Sequence, residues 1–245
     1  MEAAGLGIFM VSACVFTIAL FHPVSPVVQA VPNEFTRRIL IGIAMGLTAI
    51  GIIYSPWGKQ SGAHLNPAVT LTFYRLGKIA RWDALFYIVA QFIGGLIGVM
   101  IVATFARSLL GQTDVNYVAT LPGSAGLKPA FAGEFVISCL LMFVVLVVSN
   151  TPCIARYTGI FAGICVATFI TFESPLSGMS MNPARTFASN AFAGVLNSLW
   201  IYFAAPIAGM RIAVALHRGF GSVGCAKMHH QNNKRCIFCE FHKGK

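Results

Sequence analysis

Apolar residues gather into six long stretches, approximately Ala3 to Phe21, Ile39 to Ser55, Ala84 to Ala106, Phe131 to Val148, Gly159 to Phe172 and Val195 to Leu216, and the segments between them hold nearly all of the charge. Most approach the ~20 residues with which a helix crosses hydrocarbon, and the fifth is the shortest. Two shorter helical segments lie between these stretches, Asn66 to Arg75 and Asn182 to Phe192. Each opens on Asn-Pro-Ala, where Asn suits an N-cap and Pro the first helical position. About ten residues at 1.5 Å each reach about halfway across a bilayer. The pattern predicts an all-α membrane protein with six spans and two half-helices.

Composition agrees. Hydrophobic residues are 57% of the 245-residue chain and charged residues 10%, at a mean hydropathy of +0.76, which excludes an ordinary soluble domain. The first stretch has no basic leader and exceeds the apolar core of a signal peptide, so it reads as the first span.

With the N-terminus in the cytoplasm, the inner segments carry Lys59, Arg75, Lys78, Arg81, Arg156, Arg211, Arg218, Lys227, Lys234, Arg235, Lys243 and Lys245, and the outer ones Arg37, Arg38, Arg107, Lys128 and Arg185. Twelve against five fixes the expected orientation, with both termini cytoplasmic. The net charge of +10 then follows from topology and a basic tail. Attraction to anionic lipid is the economical reading, and no nucleic-acid-binding fold accompanies the charge. Short termini without eukaryotic targeting signals point to a bacterial inner membrane.

The chain repeats itself. Ser61-Gly62-Ala63-His64-Leu65 precedes Asn66-Pro67-Ala68, and Ser177-Gly178-Met179-Ser180-Met181 precedes Asn182-Pro183-Ala184. Gly42 and Gly46 stand before the first motif nearly as Gly159 and Gly163 stand before the second, both with the Gly-x-x-x-Gly spacing that lets helix backbones approach. Gly94 corresponds to Gly209, and Glu2 to Glu134. The halves, about 1–107 and 130–217, hold three spans each and are joined through the loop from Gly111 to Lys128. An odd number of spans inserts the second half upside down, and the two half-helices then meet N-terminus to N-terminus near the midplane. Non-helical backbone at that depth must be buried in protein or line a water-filled cavity.

The two contexts, extended by Val69-Thr70 and by Arg185-Thr186, resemble the aquaporin family, also called the major intrinsic proteins, from Glu2 to about His217. The resemblance implies a six-helix bundle with two re-entrant half-helices in inverted repeats, a pore through each subunit, and a homotetramer.

Physical roles can be assigned alongside it. If each Asn oxygen caps its own helix, the amide NH2 of Asn66 and Asn182 points into the lumen as a donor. Facing helix N-termini put positive partial charge at the midplane, which opposes cations and protons while neutral molecules pass. Arg185 adds fixed donors and a permanent charge, and the resemblance makes it the selectivity Arg.

Counting back from Arg185, the family position that is usually His in water-specific members falls on Ile170, and the re-entrant-loop neighbour on Met179. The second-helix position falls on Met45 or Gly46, because the connection Tyr54 to Gln60 is one residue longer than usual. This ring is more apolar than a water channel's and leaves glycerol or other small solutes open. Thr186 and the pair Tyr202-Phe203 point back toward water channels.

Other polar residues are few. The resemblance implies that Glu2 and Glu134 each accept hydrogen bonds from a re-entrant loop; a proton relay is the competing reading. Glu173, near a helix end, reads as solvated. His64 reads as a vestibule residue, and Gln91 as a hydrogen-bonding partner of a neighbouring helix. Cys14, Cys139 and Cys165 read as small packing residues, with Cys153 in a loop.

The tail, 218–245, is basic and rich in Cys and His. Cys225, His229, Cys236 and Cys239 offer a zinc site of knuckle spacing; a disordered tail with incidental thiols is the alternative. No other cofactor is expected. Three classes fit the chain: a passive channel for water and small neutral solutes, a glycerol-type facilitator with weak water selectivity, and a junction or scaffold protein with little conductance. A coupled transporter would place more ionisable groups at the midplane. An enzyme would need a nucleophile, base and orienting group, and no such set occurs.

Overall fold

A computed structural model describes residues 1–220 and Val223. The helices are α1 Glu2–Phe21, α2 Pro26–Ala30, α3 Glu34–Tyr54, α4 Pro56–Ser61, α5 Pro67–Arg75, α6 Arg81–Leu110, α7 Leu127–Ser149, α8 Thr158–Ser177, α9 Pro183–Ala193 and α10 Leu199–His217, with no strand among the described residues. By length and composition, α1, α3, α6, α7, α8 and α10 can each cross a membrane. Large apolar side chains cover the outside, including Leu47, Phe86, Phe105 and Phe172, as lipid contact requires.

Several helices outrun their apolar stretches. The shortest run, which stops at Phe172, belongs to a helix that continues through Glu173, Ser174 and Pro175 to Ser177. Glu173 is therefore not the solvated residue expected. Both carboxylate oxygens are buried without a hydrogen-bond partner, against Gly133 of α7. A Cβ at residue 133 would occupy the space of the carboxylate, so the glycine is what lets the acid turn inward.

Small residues set the helix crossings. A Cβ on Gly46 would lie 2.6 Å from the carbonyl oxygen of Gly163, and one on Gly163 would lie 2.7 Å from that of Gly46. These equivalent glycines of the two halves thus meet each other where α3 crosses α8. Gly94 abuts Ala3 of α1, and Gly209 abuts Phe135 of α7, so each half closes on itself at the matching place. Close backbone approach replaces the hydrophobic effect, which lipid does not supply.

The connectivity alternates between a face that carries the N-terminus and a far face. From the N-terminal face α5 enters the bundle; from the far face α9 does so in mirrored fashion.

Candidate functional site

Each half-helix begins where the sequence places a cap. Asn66 Oδ1 accepts the Ala68 N–H at 2.9 Å, and Asn182 Oδ1 accepts those of Ala184 at 3.1 Å and Arg185 at 3.2 Å. The amide nitrogens are not free in the lumen, as the capping argument alone suggested. Asn66 Nδ2 donates to the Met181 carbonyl at 2.7 Å, and Asn182 Nδ2 donates to the Leu65 carbonyl at 2.8 Å. Each amide spends one hydrogen tying its helix to the opposite loop, and keeps a second.

The segments leading into the two caps are bent alike. Gly62 and Gly178, at φ 87° and 79°, end α4 and α8 in the left-handed region. Ala63, Leu65, Met179 and Met181 follow with φ between 51° and 56°, at about 1–2 kcal/mol each for an L-residue. Two buried carboxylates hold these conformations. Glu2 accepts from Ser61 Oγ (2.8 Å), the N–H groups of His64 (3.2 Å) and Leu65 (2.6 Å), and Gln91 Nε2 (2.7 Å). Glu134 accepts from Ser177 Oγ (2.9 Å) and the N–H groups of Ser180 (2.6 Å) and Met181 (2.7 Å). The serines in turn accept the N–H groups of Ala63 and Met179, both at 3.1 Å.

One symmetric pair escaped the sequence reading. Tyr87 donates to the Ser61 carbonyl at 2.8 Å, and Tyr202 donates to the Ser177 carbonyl at 2.5 Å. Both stand seven residues before the equivalent glycines, Gly94 and Gly209, and that spacing was the available signal. The halves differ in two places: among the described residues Glu134 has no counterpart of the Gln91 donor, and the pairing beside the caps is not the same. His64 Nδ1 pairs with Thr70 at 3.1 Å and its ring stacks on Phe73, whereas the second half pairs Ser180 with Thr186.

These elements surround a cavity of about 400 Å³. A stripe on α3, Arg38, Ile41, Met45, Ala49 and Ile53, follows it for about 22 Å at 1.5 Å per residue. Ile170, Met179 and Arg185 line it together with Met45, as do Asn66, Asn182 and His64. Of the two candidates on α3, Met45 faces the lumen and Gly46 does not, because Gly46 is packed on Gly163.

The segment joining the halves also reaches the lumen, which its irregular sequence did not announce. Asp114, Val115, Val118 and Ala119 line the far end. Arg185 donates from its guanidinium to Thr120 Oγ1. The proposed tail ligands Cys225, His229, Cys236 and Cys239 lie outside the described residues. Among the described residues, no group of three or more His, Cys, Asp or Glu could hold a metal.

The chain matches the sequence profile described as Major intrinsic protein over residues 3–217. It is similar to the probable aquaporin AqpM of Archaeoglobus fulgidus, 31% identical over 191 residues that cover 70% of this chain and 77% of that one. A glycerol uptake facilitator protein-like 6 of Lactiplantibacillus plantarum is 36% identical over 60% of this chain and 68% of its own length. Against plant aquaporins such as NIP1-3 of Oryza sativa, 37% identical, the chain spans about half the relative's length, 49%. Among solved structures, the aquaglyceroporin of Plasmodium falciparum has the same fold, with a TM-score of 0.70 at 17% identity over 88% of this chain and 92% of that one.

Proposed function

The chain belongs to the major intrinsic protein family, and we propose that this integral membrane protein is a passive channel for water and other small neutral solutes that excludes ions and protons. The observation that carries the reading is the reciprocal clasp of Asn66 and Asn182, which points two helix N-termini at one lumen. Each terminus carries about half a positive charge. At ~4 Å and an effective dielectric of ~20, the pair opposes a unit cation by about 4 kcal/mol, roughly a thousandfold. A neutral solute meets no such barrier, and the remaining amide hydrogens offer it donors.

Met45, Ile170, Met179 and Arg185 form the proposed constriction, three apolar side chains and one guanidinium. Such a ring accepts a carbon skeleton against its apolar wall, so molecules of glycerol size pass along with water. The similarity to a glycerol uptake facilitator-like protein supports this breadth. Glu2 and Glu134 serve as loop supports, since all their contacts are donors.

The bias of Lys and Arg supports cytoplasmic termini, and the membrane we propose is a plasma membrane, a bacterial inner membrane. The assembly is a homotetramer, and light scattering of the solubilised particle checks it; a protein mass of one chain would reject it. The solute class is tested by stopped-flow light scattering on proteoliposomes with water, glycerol and hydrogen peroxide in one preparation. Water and glycerol fluxes both above empty vesicles are expected. Osmotic shrinkage no faster than in empty vesicles would reject the channel and leave the scaffold reading.

A further inference from the structure

We propose that Thr120, clamped by Asn190, is the residue that positions Arg185 in the lumen, so that the segment joining the two halves helps set selectivity. The inference rests on the constriction role proposed for Arg185. An arginine side chain is long and rich in rotamers, and it serves as a fixed donor only if something holds it. Thr120 Oγ1 accepts from the guanidinium and, at 3.4 Å, from Thr186 Oγ1. Thr120 is itself immobilised at both backbone groups: Asn190 Oδ1 accepts its N–H at 2.9 Å, and Asn190 Nδ2 donates to its carbonyl at 3.0 Å. Asn190 Nδ2 also donates to the Val195 carbonyl at 3.0 Å, which fixes the amide orientation.

Arg185 and Asn190 lie on the same short helix, α9. The chain of contacts therefore closes on itself, from α9 through Asn190 to Thr120 and back through the guanidinium. Thr120 moves with α9 if the rest of the segment shifts. Behind the guanidinium the network is shielded from water: Thr120, Thr186 and Asn190 are fully buried. Buried hydrogen bonds to a charged group are the strong ones, and stranding a partner is costly. Two further contacts hold the segment from behind. The Gly123 N–H donates to the Leu176 carbonyl at 2.9 Å, and a Cβ on Gly178 would lie 3.0 Å from both Leu121 N and Thr120 Cγ2. Asn116, Tyr117 and Val118, just upstream, are all left-handed, which only a well-determined segment sustains.

The test measures the ratio of glycerol to water permeability in proteoliposomes for wild type, Arg185→Val, Thr120→Val, Thr120→Ser and the double variant Thr120→Val/Arg185→Val. Arg185→Val is expected to raise the ratio. Thr120→Val should raise it in the same direction by about threefold or more, the scale of one lost charge-assisted hydrogen bond offset by regained entropy. Thr120→Ser, which keeps the hydroxyl, should stay at the wild-type ratio, and Thr120→Val should add nothing in the Arg185→Val background. A wild-type ratio for Thr120→Val, with Arg185→Val altered, would overturn the inference and leave the proposed function standing. An equal effect of Thr120→Val in both backgrounds would also overturn it, since the residue would then act through loop structure alone. An unchanged ratio in Arg185→Val would overturn the role of Arg185 first, and this inference with it. If Thr120→Val does not assemble, Asn190→Ala takes its place, with the same raised ratio expected and a wild-type ratio counting against the proposal.

Discussion

Replacing Glu134 by Gln keeps the shape of the side chain and removes its charge. The carboxylate serves three donors, Ser177 Oγ, Ser180 N–H and Met181 N–H, and none of the three is an acceptor toward it. Glutamine offers one carbonyl oxygen for them and turns an NH2 toward the rest. One charge-assisted bond is lost, at about 1.5–3 kcal/mol, and one buried N–H is stranded, at about 1–3 kcal/mol. Together these come to about 2.5–6 kcal/mol, applied to a loop that already holds two non-glycine residues, Met179 and Met181, in the left-handed region. Hydrogen exchange followed by mass spectrometry on the peptide containing Ser180 and Met181 reads the effect directly. At 1.36 kcal/mol per decade, protection should fall by about two to four orders of magnitude. The peptide around Val145 in α7, away from the carboxylate, should keep its protection. Protection of the loop within threefold of wild type would refute the reasoning, because it would show that the three donors do not need an anionic acceptor.

Three further outcomes follow from the same geometry. Gly46→Ala places a methyl 2.6 Å from the Gly163 carbonyl oxygen and should lower stability by about 1–3 kcal/mol, whereas Gly51→Ala, with nothing within 4 Å, should not; thermal unfolding in detergent with equal losses for both would contradict the crossing described. Ile170→His adds a donor to the proposed constriction and should lower the glycerol-to-water permeability ratio, and an unchanged ratio would remove Ile170 from the narrow part of the lumen. Glu173→Gln replaces an acid whose two buried oxygens make no hydrogen bond by a residue that cannot ionise, so its melting temperature should equal or exceed wild type; a marked loss would show that the carboxyl group has a stabilising partner.

The features legible in the sequence are those with strict local chemistry. A Pro after a capping Asn suits a helix start, and the glycines at 46 and 163 marked close backbone approach, although only the structure shows that they approach each other. The choice between Met45 and Gly46 was open by count, yet Gly46 already had a packing role, and 3.6-residue periodicity cannot turn one position toward both a neighbour and the lumen. Glu173 was misjudged because its inward turn depends on Gly133, forty residues away on another helix. The segment from Asp114 to Thr120 was read as a connection. Its part in the lumen comes from long-range bonds, above all Asn190 to Thr120, which leave no periodic trace. The clasp between Asn66 and Asn182 was half visible: the caps were, but the cross-bonds to Met181 and Leu65 exist only once two inverted halves are face to face.

The central claim is that two clasped helix N-termini give a lumen that passes neutral molecules and refuses charge. Its most direct test is water and proton permeability measured in the same proteoliposomes, by light scattering under an osmotic step and by an entrapped pH dye under a proton gradient. Water flux should rise in proportion to protein while proton flux stays at the value of protein-free lipid. Proton flux that climbs with protein content, or water flux that does not, would contradict the account.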